Sequence, residues 1–593
     1  MYTLTICFIF LACVLFDVHS FHESEGKVDK SKLQLVLEHL STVYLPYDVT
    51  TSEPLYKLKS ASVEQMAIHE EDKTMYVVGK GLFHVVNISD PTNLVYITTV
   101  PVLDSDLTDV EVCGNYIFIT SDNMKDKANG QLLIYSRYTT TPGFSLRQIN
   151  AITVGAQPDM LQLTKDCQTA VIAVEGEPVE TGEDFTDYPG AIAIVRFEGG
   201  RPADSIPPEV KILDFKKFET SYDDLLARNV KMSYSRTRKG FSDEFEPEYI
   251  TIDEESRKAY VVLQENNAVV EVDLNTYEIT QIYGLGYKQW GHLDASKSDG
   301  GISISYWPIR SFYQPDAIKF YVWQQRKLAF TANEGEYRVY PNDGFDERRI
   351  GVSFKGSKFG PNVPLFVVDA LNDSRKLGDL TFSKGDGFID GTYEALYMFG
   401  GRSFSIWDTE NNFELLYDSG SDFEEKIAVY CPHVFNSNGD VIDTVSDQMG
   451  VQPEGLATLE MDSRLFIFIT IENPGMLLVY SLDADVTSPR FETIFCDGIP
   501  KDSRSLTAKY MARELYMVHP EDIRILGEGN TISKSPLVFV TGSVSGTVSV
   551  LKVGLVENAI KFDESRNHSS GTAFSSLSLS LAIWCKVIFC WLF

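Results

Sequence analysis

Carboxylates recur at the edges of short β-like runs in an arrangement able to gather a hard cation. Gln157-Pro158-Asp159 precedes one run and Glu175-Gly176-Glu177 follows the next, while Glu246-Pro247-Glu248 is followed by Gln264-Glu265-Asn266-Asn267. Gln314-Pro315-Asp316 leads to Glu334-Gly335-Glu336, Gln452-Pro453-Glu454 leads to Glu472-Asn473, and His519-Pro520-Glu521 heads a last copy. If the copies converge, Asp159, Glu175, Glu177, Glu248, Glu265, Asp316, Glu334, Glu336, Glu454, Glu472 and Glu521 ring one opening. Facing carboxylates raise one another's pKa unless a cation offsets the repulsion. An all-oxygen set suits Ca²⁺, which takes about six to eight oxygens in loose geometry. Calcium is the expected cofactor and these acids its candidate ligands. The plainer reading is that Pro-Glu and Glu-Asn pairs are turn signals whose side chains cap backbone amides.

The elements that must position these acids are strands. Tyr249 to Asp253, Lys258 to Gln264 and Ala268 to Leu274 are β-branched, alternating and separated by turn residues, and helical periodicity is hard to find. In an antiparallel pair the start of the first strand and the end of the second share one end of the sheet. The Pro-acid and acid-Asn elements therefore meet on one face. Pro158, Pro247, Pro315, Pro453 and Pro520 step by 89, 68, 138 and 67 residues. That spacing reads as a repeat with one insertion and one double step. Less regular copies begin near Val63-Glu64 and Thr108-Asp109, and a partial one runs through Tyr393 to Trp407-Asp408. The expected fold is all-β, a β-propeller of about seven, or alternatively eight, blades with long inter-strand insertions. Its innermost strands would carry the acids to one mouth of the channel. Excursions are expected at 178–246 and 284–313. Tandem independent sandwiches are the competing architecture, but no Pro/Ser linker separates the copies.

Of 593 residues, 52 are basic and 84 acidic, a net charge of −32. Such a charge repels nucleic acid and anionic lipid and concentrates cations. Residues 1–20 read as a signal peptide, with an apolar run from Leu4 to Phe16 and small residues before Phe21. Ser569-Ser570-Gly571, a polar spacer and an apolar end read as a glycosylphosphatidylinositol signal, because a spanning helix needs about 20 apolar residues. The expected layout is a lead-in at 21–44, the propeller at 45–556, a linker at 557–570 and a removed signal at 571–593. The expected location is the outer face of the plasma membrane, held by a lipid. Outside the two end segments the cysteines are Cys113, Cys167, Cys431 and Cys496. Neighbourhood favours pairing 113 with 167 and 431 with 496, although four cysteines allow about three pairings. Asn87, Asn372 and Asn567 fit the glycosylation sequon.

No GxSxG, HExxH or Walker loop is present, and catalytic residues are not assigned. Lone histidines such as His292 and His433 read as structural. Asp294-Ala-Ser-Lys-Ser-Asp299-Gly300 resembles a calcium loop only loosely, since its glycine is late and no Glu closes it. Arg338 and Arg402, each beside a repeat turn, could grip a phosphate bidentately, or equally form interblade salt bridges.

The segments VGAQPDML, EFEPEYI with LQENNAV, YQPDAI with TANEGEYR, FGGRSFSIWD with YDSGSDFE, and QPEGL with IEN resemble the choice-of-anchor I propeller family from about residue 45 to 553. The resemblance implies a cell-surface glycoprotein of calcium handling or calcified-skeleton deposition, with calcium ions or a mineral surface as partner. Bacterial members labelled alkaline phosphatases imply a rival: channel acids holding Ca²⁺, bound water attacking a phosphate ester, and Arg338 or Arg402 stabilising charge. An adhesive propeller with an extracellular protein partner is a third class. The chain departs from the family pattern where Thr541 to Gly546 lacks the acid before its SGT, and it lacks a long Gly/Pro-rich insert.

Overall fold

The computed structural model describes residues 33–557 except 142–145, 182–183, 198–201, 203–206, 233–239 and 254–256. The proposed leader, Asn567 and the anchor residues Ser569, Ser570 and Gly571 lie outside the described residues. Among the described residues, no helix is long and apolar enough to cross a membrane.

Seven four-stranded antiparallel sheets follow one another along the chain. Their innermost strands are Met66–His69, Ser105–Cys113, Pro158–Leu163, Pro247–Asp253, Ile318–Trp323, Pro453–Met461 and Ile523–Leu526. Each innermost strand packs on the next, and the last returns to the first. The result is a seven-bladed propeller, and the blades are numbered here in that order.

Why the sequence reads as it does follows from the packing. The second and third strands of a blade are covered by neighbouring blades on both faces, so they are apolar almost throughout. Thr169–Val174 and Arg464–Ile471 are buried at every position. The fourth strands form the rim and alternate, as Glu278–Gly284 does, because only one of their faces meets the core.

The seventh blade is completed by the beginning of the chain. Leu33–Tyr44 pairs with Thr547–Glu557 as the outer strand, and Leu35 is wholly buried. Residues 33–44, expected as lead-in, are therefore part of the propeller. Pairing the first strand with the last sheet completes the seventh blade and closes the ring.

The double step is an insertion, not a further blade. Arg326–Asn333 pairs directly with Ser403–Asp408, with Asn333 opposite Ser403. The partial copy ending at Trp407-Asp408 is thus the third strand of the fifth blade. Between them, the excursion joins 288–311 in a five-stranded sheet with its own core around Trp290, Phe354 and Phe382.

Cys113 bonds Cys167 and Cys431 bonds Cys496, with Cα–Cα separations of 5.9 and 6.3 Å. The first ties the second blade to the third. Asn372 is exposed and Asn87 half-buried.

Candidate metal centre at the channel mouth

A repeated backbone device aims the acids. Ala61, Asp104, Gln157, Gln314, Gln452 and His519, each at the entry to a blade, hold φ between 46 and 58°. Non-glycine residues rarely adopt that left-handed conformation. In three blades a β-bulge then follows the proline, between Pro158 and Leu161, Pro247 and Ile250, and Pro453 and Leu456. A bulge re-aims a side chain that a regular strand would send elsewhere, here Asp159, Glu248 and Glu454. The turned carbonyl also fixes the partner element. Gln157 O accepts the amide of Glu175 at 3.0 Å, Gln314 O that of Gly335 at 3.1 Å, and Gln452 O that of Glu472 at 2.9 Å. In the seventh blade the same bond comes from Ser543 to His519 O at 2.8 Å. Ser543 stands where other blades place an acid, and its hydroxyl donates to Glu521 Oε1 at 2.5 Å.

These elements enclose a cavity of about 310 Å³ at the channel mouth. Asp159, Glu175, Glu248, Asp316, Glu454 and Glu521 line it, joined by Glu64, Asp109 and Tyr249. One oxygen each from Asp316, Glu334 and Glu454 lie within 4.8 Å of one another. Oxygens sharing a Ca²⁺ at about 2.3–2.6 Å can stand up to about 5 Å apart, so this spacing accommodates one ion. Glu334 accepts from Gln264 Nε2 at 2.8 Å and from Gln452 Nε2 at 2.7 Å, which holds its carboxylate in place. Asp316 Oδ2 and Glu248 Oε2 are buried with no donor among the described residues. Buried anionic oxygens without a donor are costly unless a cation or proton meets them.

The electrostatics point the same way. Burial, then neighbouring carboxylates, pushes Glu64, Glu175, Glu248, Asp316, Glu334 and Glu454 well above the carboxylate range. Glu521 is pushed up to about 7 and Asp159 to about 6, in both cases chiefly by burial. Glu472 instead has a protein partner, His519 Nδ1 at 2.7 Å. Burial opposes charge on that imidazole, but the hydrogen bond and charge of Glu472 outweigh it and raise its pKa.

Three expected ring members lie beyond the cavity lining, two of them beside a buried cation. Arg338, 2% exposed, donates to Glu246 Oε2 through Nε at 2.9 Å and Nη2 at 2.5 Å, and lies 3.8 Å from Glu265. Glu177 feels the Arg338 charge as well, yet burial and then Glu265 raise it to about 7. Glu336, raised to about 8 chiefly by burial, caps the Tyr337 amide at 2.6 Å. Glu265 and Glu177 thus feel the arginine, while their charges, after burial, also raise the channel acids Glu248 and Glu175.

Neither arginine expected at a phosphate is available to one. Arg402 is wholly buried. It donates to Glu424 Oε1 at 2.7 Å and to the carbonyls of Asp294, Ser446 and Gln448 at 2.8, 2.8 and 2.9 Å. Arg338 is enclosed by Glu244 and Glu246. Both serve as internal ion pairs, the second reading of these residues.

Glu64 and Asp109 are the cavity acids that the Pro-acid pattern omits. Their blades lack the proline, and the usable signal was the irregular copies starting at Val63-Glu64 and Thr108-Asp109. Asp109 spends its oxygens on the amides of Val110 and Leu161, at 2.7 and 2.8 Å.

A 206-residue stretch is 32% identical to Gigasin-3a of Magallana gigas, covering 33% of this chain and 70% of that one. A 349-residue stretch is 31% identical to the mesenchyme-specific cell surface glycoprotein of Strongylocentrotus purpuratus, covering 53% of this chain and 41% of that protein. The chain therefore spans less than half the length of the second relative. Among solved structures, Kuenenia stuttgartiensis hydrazine synthase aligns over 86% of this chain and 99% of that one, at TM-score 0.39 and 8% identity. Saccharomyces cerevisiae Sqt1 aligns over 83% and 96%, at 0.37 and 9%. Likenesses this distant say nothing of function, and the propeller assignment stands on the strand order itself. The family model of the choice-of-anchor I domain matches residues 64–485, and the chain belongs to that family.

Proposed function

We propose that this protein is an extracellular, lipid-anchored glycoprotein that binds Ca²⁺ at the propeller's channel mouth and serves cell-surface calcium handling or biomineralisation. Asp316, Glu334 and Glu454 would hold the ion, Glu248, Asp159 and Glu521 line the cavity that Asp316 and Glu454 also face, and water would complete the oxygen shell. The observation that carries the reading is the convergence of these carboxylates, with Asp316 Oδ2 and Glu248 Oε2 buried without a donor among the described residues. The two disulfides support an oxidising compartment, and the printed name of one relative places that relative at a cell surface.

The hydrolytic alternative loses the two arginines that would have stabilised a phosphoryl group, since both are buried in ion pairs. Thermal melting in millimolar Ca²⁺ and again in chelator tests the proposal. A Tm raised by Ca²⁺ is expected, because a ligand that binds only the folded state stabilises it; coincident melts would refute calcium binding. Release of the protein from cells by phosphatidylinositol-specific phospholipase C tests the anchor.

A further inference from the structure

A second cavity, of about 330 Å³, lies between the innermost strands next to the acidic one. The two share Gln65, Met160 and Tyr249 as a common wall, in which Gln65 Nε2 donates to the Tyr249 hydroxyl at 2.6 Å. The chemistry of this inner chamber differs from that of the mouth. Lys319 and Arg524 are the only lysine and arginine on the seven innermost strands, each at the second position of its own strand, and both line the chamber.

The charged neighbours of Lys319 there have partners of their own. Arg524 donates through Nε to Asp522 Oδ2 at 2.9 Å and through Nη1 to Glu111 Oε1 at 3.1 Å. Asp522 Oδ2 also accepts the Met66 amide at 3.0 Å. Lys319 is half-buried, and among the described residues its Nζ makes neither a hydrogen bond nor an ion pair, although Glu111 and Asp522 line the same chamber. Burial, then the Arg524 charge, lowers its pKa, while Glu111 and Asp522 act the other way.

An ammonium withdrawn from water without a partner is costly. An anion or the loss of a proton can relieve that cost. A bound anion would be repelled by Glu111 and Asp522 in the same chamber, whereas a neutral amine meets no such opposition. A desolvated lysine beside another cation is the arrangement that makes an amine nucleophilic. We propose that Lys319 is a reactive amine that captures a small aldehyde or ketone as a Schiff base in the inner chamber. The nitrogen lone pair attacks the carbonyl carbon and one proton passes from nitrogen to oxygen, giving a carbinolamine. Its hydroxyl then leaves with the remaining nitrogen proton as water, and a C=N bond replaces C=O. No oxidant or further reactant is needed. The chamber is at the small end of ligand cavities, so it suits carbonyl compounds of a few carbons. The site stands whether or not the mouth binds calcium.

Folded protein treated with millimolar propionaldehyde and cyanoborohydride near pH 7, then digested for peptide mass spectrometry, gives the rate of imine trapping at each lysine. Exposed Lys57 and Lys355 are the references, because an ordinary lysine with a pKa of about 10.4 is almost wholly protonated there. Lys319 should be labelled at least about tenfold faster than either, and the advantage should narrow near pH 9 as the references gain neutral amine. Lys319→Met should lose the fast equivalent. Labelling of Lys319 no faster than the references, or only after unfolding in urea, would overturn the proposal. So would a fast equivalent that persists in a folded Lys319→Met protein. Should that variant fail to fold, the site-by-site rates in the wild type decide the matter.

Discussion

Around Arg338, buried glutamates find a protein cation; around Asp316, most buried carboxylates of the same repeat element find none among the described residues. Glu246 takes two guanidinium bonds, and nearby Glu347 is matched by Lys231 at 2.7 Å with both side chains almost wholly buried. Arg338 and Glu347 come from the fifth-blade insertion and Lys231 from the excursion before the fourth blade. Insertions thus supply charge compensation to one side of the acidic ring. On the Asp316 side His519 pairs with Glu472 and acts on Glu521, and the other acids are left to protons or an external ion. The difference teaches that a repeat can place acids by symmetry, but neutralising them is a local matter decided by what is inserted beside each copy.

Removing the internal cation should have the largest effect. Arg338→Met removes the cation from buried Glu246 and leaves it the Tyr340 hydroxyl at 3.4 Å, a loss of about 3–5 kcal/mol in urea unfolding. A loss under about 1 kcal/mol would mean the arginine is not the compensating charge. Next comes the channel. Ca²⁺ at about 100 times its Kd should stabilise the wild type by about 2.7 kcal/mol, and Asp316→Asn with Glu454→Gln should abolish that gain. Without calcium at pH 8 the same double variant should melt higher than wild type, since it removes buried like charges.

The third prediction concerns pH. The folded-state pKa values of Asp159 and Glu521 are raised to about 6 and about 7, so between about pH 4 and pH 7 the folded protein holds more protons than the unfolded chain. Calcium-free stability should therefore fall as pH rises through that window, and the fall should continue toward about pH 8, where Glu336 titrates. Saturating Ca²⁺ should flatten the fall. A calcium-free stability that climbs with pH over this range would contradict the raised values. The smallest effect is expected from His519→Gln. Loss of the imidazolium should tighten Ca²⁺ by about two- to fivefold at pH 6, the scale of a partly exposed ion pair, and leave it unchanged at pH 8.

Much of this was legible in the sequence because it rests on strictly local signals. The Pro-acid element marks the bulge, so Asp159, Glu248, Asp316, Glu454 and Glu521 were found at the cavity they line. The pairings Cys113 with Cys167 and Cys431 with Cys496 followed from neighbourhood, since each joins elements of adjacent or successive blades. Where reading failed, the deciding contact was distant. Glu265 and Glu177 carry the same signature as the ring, and only the fold brings Arg338 to them. Leu33–Tyr44 lacks the apolar run of an inner strand because it lies on the rim, so nothing local marks it as part of the last blade. Glu64 is preceded by Val63 where five other blades have proline, which hid it from the repeat.

The central claim is tested most directly by measuring the heat of Ca²⁺ binding near pH 6.5 in two buffers of different ionisation enthalpy. Carboxylates held protonated by burial and by one another must release protons when the ion enters. The account predicts binding with release of at least about one proton per ion, abolished in the Asp316→Asn, Glu454→Gln protein. Calcium binding with no proton release, or none at all in the folded wild type, would contradict it.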